Sequence, residues 1–134
     1  MIRETPTLII LRTTAEHIKG VIEHQKHALD RPMSRAKAGD LLIIAEMKPK
    51  GPAVARYAMW FKQQKRDDAR ESAAIWGKQW NFIIEGEGGQ ELTAPFVPAE
   101  VKPNGPYGQG GPYVYVRPED ADDFRREGRL APLL

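Results

Sequence analysis

Three tryptophans are the residues best suited to bind a flat ligand, since an indole ring offers a broad apolar face and one N–H donor. Trp76 and Trp80 stand four residues apart in SAAIWGKQWNFIIEG, and Trp60 ends the apolar run AVARYAMWF. Gly77 directly follows Trp76, which favours a turn and places that ring at the rim of a pocket. Trp60 and Trp80 share their predicted strand faces with other apolar residues, so a core position competes with a binding role. The sequence therefore predicts an aromatic pocket with Trp76 as one wall and Trp60 or Trp80 as another.

The histidines and the known catalytic motifs indicate neither a metal site nor a catalytic centre. His17, His24 and His27 fall within one predicted helix, and the chain has no cysteine to complete a metal site with them. We interpret these histidines, with Lys19 and Lys26, as a solvated helix face. The chain has no Gly-x-Ser-x-Gly, P-loop or His-Glu-x-x-His motif, so no catalytic residue, metal or cofactor is predicted.

The composition is that of one globular domain with nearly balanced charge. The 134 residues include 20 basic and 18 acidic side chains, a net charge of +2, so nucleic-acid binding would depend on local patches. The absence of cysteine excludes disulfides and is compatible with the cytoplasm. The start lacks the apolar segment of a signal peptide, and no apolar run approaches the roughly 20 residues of a membrane span. We therefore expect a single cytoplasmic domain over residues 1–134.

The apolar pattern predicts the elements that would position these rings. The runs LIIL, LLIIAE, AVARYAMWF, WNFIIEG and YVYV predict strands, and a further short strand is predicted at ELTAPFVP after a turn at EGEGGQ. One helix is predicted over Ala15–Leu29 and another at PEDADDFRREG, which has proline and acids at its start and arginines near its end. The polar segment KQQKRDDARESAA predicts a short helix or a loop. Hairpin-like connections favour the α+β class, with a small mixed, largely antiparallel curved sheet or barrel.

The order of these segments resembles the PUA-like superfamily and, within it, the EVE domains. The similarity rests on MSRAKAGDLLIIAE, GPAVARYAMWF, WNFII, LTAPF and the closing VRPEDADDFRRE, and it extends from Leu8 to about Glu127. PUA-like domains of the EVE, ASCH, YTH and SRA kinds bind RNA or DNA and often hold one base in a pocket with aromatic walls. The resemblance therefore implies a PUA-like fold and a nucleic-acid-binding module that takes a single base, natural or modified, into the aromatic pocket.

The resemblance also implies roles for polar residues around that pocket. In EVE-like domains the connector MSRAKAGD lies beside the pocket, so the hydroxyl of Ser34 would hydrogen-bond a base edge. Apart from the resemblance, the glycines of the loop NGPYGQGGPY would let the backbone approach a ligand closely, so Tyr107 is expected to stack on the base. The basic side chains expected to contact phosphates are Arg12, Arg35, Lys37 and Lys48. Solvated surface loops are the competing interpretation of these segments.

Two other functions stay open at this level. The same pocket would serve a small-molecule-binding or hydrolytic domain, as in some ASCH relatives, and a buried acid beside a lysine in the cleft would favour that function. A protein-interaction domain would instead have its three tryptophans fully buried with no cleft beside them. The sequence does not distinguish RNA from DNA.

Overall fold

A six-stranded curled sheet organises the chain in a computed structural model that describes residues 6–98 and 113–134. The elements are β1 (Leu8–Thr14), α1 (Ile18–His24), β2 (Lys26–Leu29), β3 (Leu41–Met47), β4 (Val54–Arg66), α2 (Glu71–Trp76), β5 (Phe82–Phe96), β6 (Tyr113–Tyr115) and α3 (Pro118–Arg126). The strands of the described residues lie in the order β2-β5-β4-β3-β1-β6. Strands β1 and β3 are parallel, and the other neighbours pair antiparallel. The predicted small, mixed, largely antiparallel curved sheet is therefore confirmed.

The parallel pair β1–β3 is buried on both faces, as its continuous apolar runs predict. Alternate side chains point to opposite faces of a strand, so the pair contributes to two cores. The α3-side core includes Leu8, Ile10, Leu41, Ile43, Phe96 and Phe124. The α1-side core includes Ile9, Leu11, Leu42, Ile44, Ile18 and Val21.

The helix after the first strand is shorter than predicted, because its expected second half is a strand. Helix α1 ends where Gln25 adopts a left-handed conformation with φ of 56°, and the Gln25 backbone N–H bonds to the Val21 carbonyl. Residues 26–29 then pair with β5, from Lys26 opposite Glu85 to Leu29 opposite Phe82. Backbone hydrogen bonds from that distant strand outweigh the local helical pattern. The prediction of one helix over residues 15–29 is therefore wrong beyond residue 24.

Strand β5 is one 15-residue element, whereas the sequence predicts two strands separated by a turn at EGEGGQ. Strand β4 pairs with it through that glycine-rich stretch, with irregularities in register. Glycine is needed where β4 side chains fill the space above the backbone. A Cβ atom at Gly86 would lie 2.6 Å from the sulfur of Met59, and one at Gly89 would lie 1.9 Å from the hydroxyl of Tyr57. The glycines mark close cross-strand packing rather than a turn, so the predicted turn is wrong.

Helix α3 follows its predicted boundaries and covers one face of the sheet. Pro118 opens the helix, acids occupy its first turn, and Arg125 and Arg126 lie in its last turn. The ring of Phe124 is fully buried and packs edge-on against Phe96 at 5.0 Å between centroids. None of the helices found in residues 6–98 and 113–134 is long and apolar enough to span a membrane.

Candidate functional site

A cavity of about 670 Å³ lies at the carboxyl ends of the parallel strands β1 and β3. Residues 12–14 of β1 and Met47 of β3 contribute to its lining. Residues 27–31, from β2 and the segment after it, form another part, and Tyr113 of the opposite edge strand β6 also lines it. The cavity therefore lies where the two edges of the curled sheet approach each other without pairing. Its volume is in the range of small-molecule and cofactor sites in proteins.

Two of the three tryptophans line this cavity together. Trp76 is the last residue of α2, and Trp80 lies in the loop before β5. Their ring centroids are 6.0 Å apart at an interplanar angle of 84°, and His17 meets Trp80 edge-on at 5.6 Å. Both indoles are half-buried, and the Trp76 N–H donates to the His17 carbonyl at 2.8 Å. The result is a fixed aromatic wall that keeps part of its surface accessible.

A buried carboxylate positions this aromatic wall. Asp67 accepts hydrogen bonds from the backbone N–H groups of Glu71 and Ser72 at 2.7 and 2.8 Å, from the Ser72 hydroxyl, and from Gln79 at 3.0 Å. The Ser72 hydroxyl oxygen in turn accepts the backbone N–H of Trp80 at 2.9 Å. Burial acts to raise the pKa of Asp67, but these hydrogen bonds outweigh burial and hold the pKa below its ordinary value. One ionised side chain therefore fixes the start of α2 and the backbone of Trp80.

Ion pairs attach α2 to the sheet. Glu71, at the start of α2, contacts the ammonium group of Lys26 on β2 and lies 3.3 Å from that of Lys65 on β4. Lys65 also lies 3.3 Å from Glu85 on β5. The hydrogen bond from Lys26 is the main reason that the pKa of Glu71 is lowered. The short helix that carries Trp76 is thus tied directly to β2 and β4, and Lys65 links this cluster to β5.

Gly20 allows α1 to approach the aromatic wall closely. A Cβ atom at Gly20 would lie 2.4 Å from the indole nitrogen of Trp76 and 2.7 Å from a methyl carbon of Ile75. Because the indole is held by its bond to the His17 carbonyl, it has little freedom to move away. The sequence pattern shows this glycine only as a weak helix former, and its packing role appears only in the structure.

His27 lies in the wall of the cavity and is buried, with 6% of its surface exposed. Its Nε2 lies 3.3 Å from the carbonyl oxygen of Arg12, and burial lowers its pKa to about 4. A neutral ring that donates from Nε2 leaves Nδ1 as an acceptor, and Nδ1 has no hydrogen-bond partner among the described residues. The interpretation of His27 as part of a solvated helix face is therefore wrong, because the residue belongs to β2. The described residues contain no cluster of three metal-binding side chains.

The predicted phosphate contacts lie in different places. Arg12 lines the cavity. Lys48 is exposed beyond Met47, and its ammonium group lies 3.2 Å from Glu46, whose pKa is lowered mainly by the hydrogen bond from Arg56. The side chains of Lys37 and Arg35 are exposed in the connector before β3 and do not line the cavity.

The remaining predicted pocket residues are not gathered at the cavity. Trp60 is half-buried against the α3-side core, opposite Leu41 of β3, and is not part of the cavity lining. Ser34 is exposed and also lies outside the lining. Tyr107 lies outside the described residues. Of the predicted pocket set, the structure brings together Trp76 and Trp80.

Sequence reasoning missed four residues that shape this site. Tyr113 and Arg31 line the cavity, and the only sequence signal for Tyr113 was the alternation of aromatic and aliphatic residues in YVYV. Arg31 directly follows the predicted helix and has no binding signal in the sequence. His27 and Asp67 depend on strand pairing and on a loop that local patterns do not specify.

Comparisons with known proteins give a structural relationship. No protein-family model matches the chain, and no curated protein matches it. Among solved structures, the ASCH protein of Zymomonas mobilis is similar with a TM-score of 0.66 and 11% identity, over 89% of this chain and 94% of that one. Two single-substitution variants of that protein are similar, with TM-scores of 0.65 and 0.62, both at 10% identity. These variant matches cover 90% and 89% of this chain and 95% and 96% of theirs. The chain therefore has the fold of ASCH domains, which belong to the PUA-like superfamily.

Proposed function

We propose that this chain binds nucleic acid by taking one base, natural or modified, into the cavity beside Trp76 and Trp80. The observation that carries the proposal is a half-buried pair of indoles lining a cavity of about 670 Å³. Removing a base from its stack costs a few kcal/mol, and stacking on an aromatic ring returns about 1–3 kcal/mol per base. A pocket with such rings can therefore offset the free energy of unstacking.

Polar groups on the cavity wall are suited to the edge of a base. Thr13 and Thr14 each supply a hydroxyl, and Asp30 supplies a carboxylate. A base presents donors and acceptors in one plane, and such side chains read that pattern once the base leaves its partner. We assign these residues to base recognition.

The charge at the cavity favours a phosphate chain. Among the described lining residues, the guanidinium groups of Arg12 and Arg31 exceed the single carboxylate of Asp30. Lys78 adds a positive charge 4.7 Å above the ring of Trp80. We assign Arg12 and Arg31 to phosphates next to the bound base, and Lys37 and Lys48 to phosphates further along the strand. Ser34 and Tyr107 keep their proposed contacts to the base or its neighbour, and an EVE-like preference for a modified base is the narrower form of this proposal.

A second candidate function is small-molecule binding or hydrolysis in the same cavity. The fold of ASCH domains favours it, because this interpretation rests on ASCH relatives. A hydrolytic site would be expected to hold a buried acid beside a lysine, whereas Asp30 is exposed and the described lining residues include no lysine. Mass spectrometry of nucleosides and oligonucleotides after incubation with the protein tests this function, since a converted product would support hydrolysis over binding.

The test of the base-binding proposal is a titration with RNA and DNA, single-stranded and duplex, with and without modified bases. Trp76→Ala and Trp80→Leu should each weaken binding about 5- to 100-fold, the range expected for one lost stacking contact. Trp80→Leu is the safer variant, because Trp76 also packs against the α1-side core. Trp60→Leu is the matched control, since it removes an indole outside the cavity and should leave affinity unchanged. Wild-type affinity in both cavity variants, or no nucleic-acid binding by the wild type, would show that the proposal is wrong.

A further inference from the structure

A second aromatic surface extends from the cavity along the edge strand β6. Tyr113 and Tyr115 are two residues apart and therefore lie on the same face of the strand. Their ring centroids are 5.6 Å apart, with an interplanar angle of 83°. Tyr113 lines the cavity, whereas Tyr115 lies outside the lining and is half-buried. The two rings thus lead from the cavity to the protein surface.

Arg35 covers the outer of these two rings. Its guanidinium carbon lies 4.1 Å from the centroid of Tyr115, and its backbone N–H donates to the Tyr115 hydroxyl at 3.0 Å. The tyrosine therefore holds both the backbone and the side chain of Arg35. Because Arg35 is exposed, a planar guest can reach the guanidinium group. A guanidinium plane supported by an aromatic ring is a surface on which nucleobases stack.

The connector between β2 and β3 brings a second guanidinium group to this surface. The Tyr113 hydroxyl donates to the Pro32 carbonyl at 3.2 Å, which fastens the connector to β6. Arg31, in the same connector, lines the cavity together with Tyr113. Burial raises the pKa of Tyr113, while the positive charges of Arg35 and Arg31 act to lower it. Neither arginine forms an ion pair with an acid in residues 6–98 and 113–134. Positive charge that has no ion-pair partner within the described part of the chain is therefore present between the cavity and Tyr115.

We propose that Arg35 and Tyr115 form a second stacking site, which takes the nucleotide next to the one in the cavity, while Arg31 meets the phosphate that joins them. This inference rests on the proposed function, because it assumes that a base occupies the cavity. Arg35, which the sequence predicts to contact a phosphate, is here assigned to stacking on a base. Arg31 is instead assigned to the phosphate between the two nucleotides. The ligand class is then a single-stranded segment of at least two nucleotides.

The test compares a single nucleotide with a dinucleotide that contains it. Titrations with the wild type should show affinity rising by about 5- to 100-fold when a neighbour is added on one side, as expected for one further stacked base. A dinucleotide whose neighbour is abasic keeps the phosphate and lacks the ring, so it should lose most of this gain. Both orders of the two nucleotides are measured, because strand polarity decides which side reaches Tyr115. An abasic neighbour that preserves the full gain would overturn the stacking site.

Protein variants also test whether Arg35 and Tyr115 stack on the neighbouring base. Arg35→Ala should abolish the gain from the neighbour and leave the affinity for the single nucleotide unchanged. Arg35→Lys keeps the charge without the plane, so it should also lose the gain, and full retention by lysine would overturn stacking in favour of a charge effect. Lys62→Ala is the control, since it removes an exposed cation on β4 that lies outside the cavity lining and has no assigned binding role, and it should preserve the gain. Tyr115→Leu should behave like Arg35→Ala.

The outcomes separate this inference from the proposed function. One outcome would contradict the second stacking site and still support base binding in the cavity. In that outcome, binding of a single nucleotide depends on Trp80, and a neighbouring nucleotide on either side does not raise the affinity. Failure of the wild type to bind nucleotides of any length would instead remove the proposed function, and this inference with it. Arg35→Ala changes a surface residue, so a folding defect is not expected to obscure either result.

Discussion

The two faces of the parallel pair β1–β3 differ in how their aromatic residues are covered. On the α3 side, Phe96 and Phe124 are 6% and 0% exposed and pack edge-on in a closed core. On the α1 side two other aromatic rings are buried in the core, but Trp76, Trp80 and Tyr113 remain half-buried around a cavity. The same kind of residue therefore closes a core on one face and lines a cavity on the other.

The difference follows from the elements that cover each face. Helix α3 has nine residues, proline at its start and charges that suit its dipole, and the chain after it adds the fully buried Leu130. The α1 side is covered by helices of seven and six residues, each only about 10 Å long. Two short helices leave part of an apolar face uncovered, and aromatic side chains line the gap. Aromatic content alone therefore does not separate core from site, whereas the length of the covering elements does.

The α3 side is the closed face in this comparison, and the α1 side, which holds the cavity, is the open face. The largest expected effect is on the closed face. Phe124→Ala should lower the free energy of unfolding by about 3–5 kcal/mol, because it leaves a void in a core with little freedom to collapse. Trp80→Leu should lower it by less than about 1.5 kcal/mol, because the indole is half-buried and leucine keeps part of the apolar contact. Urea denaturation measures both. Similar losses for the two variants would contradict the division into a closed face and an open one.

The next effect is the pH dependence of the free energy of unfolding that is caused by the buried His27 in the cavity wall. His27 has a pKa of about 4 in the folded protein, against 6.5 for an exposed histidine. Between these values the unfolded chain binds the proton and the folded one does not, so the free energy of unfolding falls as pH is lowered from about 6.5 to 4. The total loss from this group approaches roughly 3 kcal/mol. Urea denaturation at a series of pH values measures it.

Two variants isolate the contribution of His27. His27→Leu removes the group and should flatten the slope between pH 6.5 and pH 4.5. His24→Gln removes an exposed histidine from α1 and should preserve the slope. The carboxylates whose pKa values are lowered, such as Glu71 and Asp67, lose their stabilising charge as pH falls toward and below their ordinary values of 4.5 and 3.8, so they contribute little to a slope above about pH 5.5. A slope above about pH 5.5 that survives in His27→Leu would show that another group causes it.

The fold class was predictable from the sequence, because its strongest elements depend on local patterns. The buried runs of β1 and β3 and the caps of α3 each mark their own element. Residues 26–29 were assigned to a helix because their partner, β5, lies more than 50 residues away. The glycines of β5 were assigned to a turn because their reason is the bulk of Met59 and Tyr57 on another strand. Local propensity thus fails where long-range pairing decides.

The candidate site was predictable only in part, for the same reason. Trp76 and Trp80 lie close together in sequence, so their joint location at a cavity follows from a short segment. His27, Tyr113 and Arg12 meet there only because the two edges of the sheet approach each other. Arg35 and Tyr115 are 80 residues apart, and their contact has no local signal. The titrations above test the proposed binding roles of Trp76, Trp80, Arg35 and Tyr115.

A smaller effect concerns the carboxylate that holds the open face in place. Asp67→Ala should lower the free energy of unfolding by about 2 kcal/mol, because several buried donors lose their acceptor. It should also weaken nucleotide binding, since the backbone of Trp80 is fixed through Ser72. The exposed neighbour Asp68 provides the control, and Asp68→Ala should change neither property. Full affinity in Asp67→Ala would mean that the aromatic wall does not depend on this network.

The smallest expected effect on stability comes from Gly20→Ala, in which close packing against Trp76 opposes the higher helix propensity of alanine. Alanine is favoured over glycine inside a helix by about 1 kcal/mol, so Gly20→Ala would stabilise α1 if only local propensity mattered. The added methyl group would lie 2.4 Å from the Trp76 indole nitrogen, and overpacking of this kind typically costs about 1–3 kcal/mol. We therefore expect a net loss of about 1 kcal/mol and weaker nucleotide binding, because the indole must move. Lys19→Ala, on the exposed side of the same helix, should leave stability and binding nearly unchanged. A more stable Gly20→Ala protein with unchanged affinity would show that α1 and the aromatic wall separate easily, and the open face would then be looser than the contacts of Trp76 indicate.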